Sequence, residues 1–146
     1  MNANRLCTLA VCLGLAAPLA ADEKAMDQSI DLVSGPPEQC VSLIRIDHTN
    51  VVDDRNILFY MKGGKIYRNH LPYPCSGLKI NDTFMYRTSL NQLCNVDIIT
   101  VLDNMGFGFM PRNSCGLGQF YPVTKEDVKM LKERVKAGKN ADKQTD

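Results

Sequence analysis

Six cysteines carry the most reactive chemistry in this chain: Cys7, Cys12, Cys40, Cys75, Cys94 and Cys115. Clustered thiolates hold structural zinc, and close pairs shuttle electrons or anchor haem. Those roles use a Cys-x-x-Cys spacing, which this sequence lacks. Cys7 and Cys12 fall inside an apolar leader, so its removal leaves an even set of four. In an exported chain the expectation for Cys40, Cys75, Cys94 and Cys115 is two structural disulfides, with no metal and no cofactor.

His48 and His70 are the only histidines. Either could work with Asp97 or Asp103 as the acid–base pair of a small hydrolase, but neither sits in a nucleophile signature. Asp53 and Asp54 could supply one carboxylate of a glycosidase-like pair, with Asp97 or Asp103 as the other. Asp-Asp-Arg-Asn between two apolar arms reads more simply as a turn, and the histidines as turn or surface residues. Gly106-Phe107-Gly108-Phe109 and Cys115-Gly116-Leu117-Gly118 lack phosphate-loop spacing. Met105, Phe107, Phe109 and Met110 form the candidate interaction loop. Folded down they would be core cover, the commoner fate; exposed together they would make an apolar patch for a partner.

The elements that position these residues begin after the leader. Arg5 precedes an apolar run from Leu6 to Leu19, and small residues at Ala20-Ala21 lead into Asp22-Glu23-Lys24. This is the layout of a secretory signal peptide, predicted to span residues 1–21 with cleavage near Ala20 or Ala21. The run is short for a membrane span, and Cys12 lacks the context for lipidation, so no stable membrane anchor is expected after cleavage. The chain has 17 basic and 16 acidic side chains. Loss of the leader removes Arg5 alone and leaves them balanced, which gives no electrostatic reason to expect nucleic acid or an anionic membrane.

Residues 22–39 are polar, end near Gly35-Pro36-Pro37, and are read as a flexible arm. Residues 40–137 form the expected disulfide-stabilised domain, and 138–146 a charged tail. Strand signals run through Val41–Ile46, then through two arms on either side of Asp53–Asn56. Ile57–Met61 and Ile66-Tyr67 flank Lys62-Gly63-Gly64-Lys65, a tight hairpin that glycine makes accessible. Thr83–Arg87 is a short strand, Val96–Leu102 a central one, Met105–Asn113 a loop, and Gln119–Val123 extended. Thr124 and Asp127 make a capping box, with Val123 and Val128 as its staple, for a helix whose apolar face is Val128, Leu131 and Val135. Gly138 offers its stop. The predicted fold class is mainly β: a small antiparallel sheet or barrel of about five to seven strands with one C-terminal helix.

Several motifs recur in order: Cys40-Val-Ser-Leu, Val52-Asp53-Asp54-Arg55-Asn56-Ile57-Leu58-Phe59, Gly63-Gly64-Lys65-Ile66-Tyr67-Arg68-Asn69, Cys75-Ser-Gly-Leu, Leu93-Cys94-Asn-Val-Asp97 and Cys115-Gly-Leu-Gly-Gln-Phe120. Together they resemble a family of small exported bacterial proteins classed as a domain of unknown function. The resemblance spans about Cys40 to Leu131. It implies a bacterial envelope location and carries over no activity, ligand or site residue.

The functional expectation is a periplasmic or secreted, non-enzymatic binding module for a protein or an envelope component. The alternatives are the small hydrolase described above and an inhibitor of a cell-wall-degrading enzyme acting through Met105–Asn113. Four cysteines allow three connectivities. Expected strand neighbours favour Cys75–Cys94 with Cys40–Cys115.

Overall fold

A computed structural model of the protein describes residues 33–88, 90–106 and 108–142. The predicted signal peptide and residues 22–32 of the arm lie outside the described residues, as does Phe107. Among those described, nine strands form three antiparallel sheets, with no closed barrel. The class is mainly β with one long C-terminal helix, as expected, but with more strands than the five to seven anticipated.

The strands are β1 (Cys40–Ser42), β2 (Ile46–Val51), β3 (Asn56–Met61), β4 (Ile66–His70), β5 (Phe84–Tyr86), β6 (Gln92–Cys94), β7 (Ile98–Asn104), β8 (Phe109–Gly116) and β9 (Phe120–Val123). A one-turn helix α1 (Leu78–Asn81) follows β4, and α2 spans Lys125–Asp142. The four-stranded sheet has the order β2-β3-β4-β9, the three-stranded sheet β5-β7-β8, and β1 pairs with β6.

The β3–β4 hairpin forms where the glycine pair predicts it. Gly63 and Gly64 both take positive φ, 101° and 88°, which a side chain would strain. Period-two alternation then divides the four-stranded sheet into two faces. One carries Val51, Ile57, Phe59, Met61, Tyr67 and Phe120 into the main core, where β1, β6 and β7 supply Val41, Leu93, Ile99 and Val101. Phe59 meets Phe84 and Phe120 edge-on, joining the three- and four-stranded sheets. The other face carries Leu58, Ile66 and Val123 against Val128 and Leu131 of α2.

The helix starts as its sequence specifies. Asp127 N–H donates to Thr124 Oγ1 (3.1 Å) and Thr124 N–H donates to Asp127 Oδ2 (2.8 Å), the reciprocal capping box. Ser34 Oγ adds a third contact to that carboxylate at 3.2 Å. These hydrogen bonds hold the Asp127 carboxyl below its ordinary range. The helix runs on through Gly138 for another turn instead of stopping there. Gly138 is exposed and touches nothing, so its cost is only the glycine propensity penalty of about 1 kcal/mol.

Two local expectations change. Met105–Asn113 is only partly a loop, because Phe109 to Asn113 belong to β8. Pro111 is tolerated since β8 is an edge strand, and a bulge opposite Val101 absorbs the irregularity. The disulfides are Cys40–Cys94 and Cys75–Cys115, not the expected Cys75–Cys94 with Cys40–Cys115. That expectation made the first and last strands neighbours. Instead β1 pairs with β6 and places Cys40 directly opposite Cys94, while β9 pairs with β4. Cys75, fully buried, then meets Cys115 on the half-buried side of β8.

Candidate functional site

Asp53, Asn56, Arg68 and His70 converge on the face of the four-stranded sheet that carries Leu58 and Ile66. Asp53 accepts from the Arg55 N–H at 2.7 Å and takes both carboxylate bonds from Asn56 Nδ2, at 2.9 and 2.8 Å. Asn56 Oδ1 in turn accepts from Arg68 Nε at 2.8 Å and lies 3.0 Å from His70 Nδ1. Arg68 Nη2, which can only donate, lies 3.3 Å from the same ring nitrogen, so the two neighbours ask opposite roles of it. Burial and the cations Arg68 and Arg55 push the His70 pKa down, which keeps the ring neutral. Arg68 is only 4 % exposed, and its burial disfavours its charge. The next residue along, Asn69, points the other way and is fully buried.

These groups act mainly as pins. Asp54 Oδ1 accepts from the Lys79 N–H, its carbonyl from the Cys75 N–H, and the Arg55 carbonyl from the Leu71 N–H. The turn thereby clamps the excursion that Pro72 and Pro74 force out of the sheet. Asn69 makes a two-way bond with Gly118, Nδ2 to the carbonyl at 2.6 Å and Oδ1 from the N–H at 2.9 Å. Gly118 is required there, because a Cβ would collide with the His70 carbonyl oxygen. Arg68, Asn69 and Gly118 were legible in the sequence only as parts of motifs, with no role assigned to any of them. Arg68 and Asn69 share a strand with Tyr67, and that polarity in a buried strand is the signal that was available.

Each of the hydrolase candidates is bonded to another partner. Asp97 Oδ2 accepts from the Cys94 N–H at 2.6 Å, and Asp103 takes Arg112 at 2.9 and 3.1 Å. His48 bonds Asp47 at 2.7 Å and stacks on Tyr60 at 4.3 Å. His70 stays with Asn56 and Arg68. Among the described residues no hydrogen bond or ion pair joins Asp97 or Asp103 to either histidine, and no three His, Cys, Asp or Glu side chains gather to hold a metal.

The β7–β8 hairpin is the other candidate, and it projects the predicted interaction loop. Met105, Phe109 and Met110 are 58 %, 61 % and 58 % exposed. Side chains of the hairpin brace them. Arg112, at the bulge, folds back onto Asp103 across the hairpin and brings its guanidinium within 3.9 Å of the Met105 sulfur. Gly106 and Gly108 turn the chain with φ of 82° and 115°, and the Gly106 N–H is received by the Asn104 side chain. Phe109 stands opposite Asn104 and Met110 opposite Asp103, so apolar atoms flank the tip on both faces. Beyond it β8 is exposed along almost its whole length. Three open clefts lie around the β3–β4 tip.

Fold and site together define a small antiparallel β protein cross-linked by two disulfides, with an exposed apolar hairpin tip. The chain belongs to DUF6491, a family of unknown function whose model matches residues 1–140. No match was found among curated proteins or among solved structures. Among the described residues no helix is long and apolar enough to cross a membrane.

Proposed function

We propose that this protein is exported across the bacterial inner membrane and works in the periplasm or outside the cell as a non-enzymatic binding module. Its β7–β8 tip engages a protein or another envelope component. The leader at residues 1–21, with its small-residue end, supports export. Two disulfides fit an oxidising compartment. The observation that carries the binding role is the exposure of Met105, Phe109 and Met110 on a hairpin braced by the Arg112–Asp103 pair. Exposed methionine and phenylalanine side chains bury much apolar area on docking, and the phenylalanine ring has few rotamers to lose. An inhibitor of a cell-wall-degrading enzyme is one form that such a module takes.

The test replaces Phe109 and Met110 by serine and measures partner capture from periplasmic extract beside thermal stability. Capture should fall at least tenfold, the fold equivalent of about 1.4 kcal/mol, while stability moves by less than about 0.5 kcal/mol. Unchanged capture with a large stability loss would show that these side chains are core.

A further inference from the structure

The whole-chain charge balance conceals a strongly segregated surface. On α2, Lys125, Lys129, Lys132, Lys136 and Lys139 recur at alternating spacings of four and three. At about 100° per residue this sets all five within roughly 40° of one line along the helix. The row is about 21 Å long at 1.5 Å rise per residue. It lies a quarter-turn from Val128, Leu131 and Val135, which hold the helix to the sheet. Four of the five lysines are exposed and Lys132 is half-buried; none enters an ion pair among the described residues. Glu126 and Glu133 border the row on its solvent side, two carboxylates against five ammonium groups.

The row continues past the end of the helix. Lys125 shares a cleft of about 320 Å³ with Lys65 of the β3–β4 tip, and Lys65 shares another of about 270 Å³ with Arg45. Lys62 lies at the same tip, its ammonium donating to the Ile44 carbonyl at 3.1 Å. Ile44, next to Arg45 in the chain, is 72 % exposed. Two acids line the same clefts, Asp47 bonded to His48 and Glu38 to the Tyr67 hydroxyl, against the four cations Arg45, Lys62, Lys65 and Lys125.

We propose that this basic band, from Arg45 and Lys65 along the lysine row of α2, docks the protein on an anionic lipid bilayer. A straight line of compact ammonium charges suits a plane of phosphate headgroups. The five-residue row on α2 is built of lysine alone, a point-charge cation, and not of the arginine forks that read individual phosphates. The exposed Ile44 adds an apolar atom group at the headgroup boundary. The choice of lipid over nucleic acid also uses the exported location proposed above. The docking face is separate from the hairpin tip.

The test is sedimentation of the purified exported protein with phosphatidylcholine vesicles, with and without phosphatidylglycerol, across a range of ionic strength. Binding should need phosphatidylglycerol and be released by salt. Lys129→Gln, Lys132→Gln and Lys136→Gln together should weaken it about 100-fold, since each near-surface lysine contributes about fivefold. Helix content and melting temperature, read alongside, should hold, and Lys65→Gln with Arg45→Gln provides a second variant off the helix. Equal binding to neutral vesicles, salt-insensitive binding, no binding, or full binding by both variants would overturn the proposal. Tighter binding to a single-stranded oligonucleotide than to the anionic vesicles would overturn it in favour of nucleic acid. Vesicle binding is read on purified protein, so its failure is distinct from a failure of export or of partner capture.

Discussion

On one side of the molecule the four-stranded sheet is sealed by α2. Leu58, Ile66 and Val123 meet Val128 and Leu131, and Asp53, Asn56, Arg68 and His70 converge on the same face of the sheet. On the other side the three-stranded sheet ends in β8, exposed almost throughout, with Phe109 and Met110 in solvent. The covered side satisfies its polar groups internally, as burial demands. The open side leaves apolar side chains and an edge strand in water, guarded by Pro111 and the bulge. The main core lies between the two sheets, and the surface available to a partner lies on the second side. Their tie is Cys75–Cys115, which joins β8 to the loop following β4.

Breaking that tie is the strongest way to attack the comparison. Replacing Cys75 and Cys115 by serine should cost about 4 kcal/mol by the chain-entropy estimate for a loop of this size, measured by denaturant unfolding. Amide exchange should accelerate more in β7 and β8 than in β3 and β4. Equal acceleration in both sheets would show that the two sides unfold as one unit and that the division is not energetic.

A milder change sharpens the covered side. Thr124→Ala removes the hydroxyl half of the capping box and should cost about 1 kcal/mol, read from the melting temperature. The effect should stay within α2 and leave the β7–β8 tip's exchange rates unchanged.

The smallest expected effect is confined to one pH window. The His70 pKa is lowered in the folded protein, so below the ordinary imidazole value the unfolded chain binds the extra proton more readily. Stability should therefore fall as pH drops through about 6.5 and be fully present above it. His70→Asn should flatten that part of the stability profile. An unaltered slope in the variant would place the pH dependence elsewhere.

The sequence by itself determined what depends on neighbours in the chain. The Gly63-Gly64 turn sets the β3–β4 hairpin, and Thr124 with Asp127 sets the start of α2, because each involves hydrogen bonds and φ angles within a few residues. The lysine row was equally legible in its four-and-three spacing. Charge balance over the whole chain obscured it, since a net count contains no direction. Met105, Phe109 and Met110 were identifiable as a glycine-flanked apolar group, but their exposure depended on whether anything packed above them.

Tertiary structure alone decided the rest. Cys40 reaches Cys94 because β1 pairs with β6 in one register, and a pairing across 54 residues leaves no local signature. Asn69 and Gly118 find each other across 49 residues in the same way. Residues 109–113 became strand instead of loop because β7 offered a free edge, where a proline's missing N–H removes no essential ladder bond. Local chemistry specifies turns and caps. Which edge meets which is fixed only when distant apolar faces share one core, and the disulfides and the exposed tip follow from that choice.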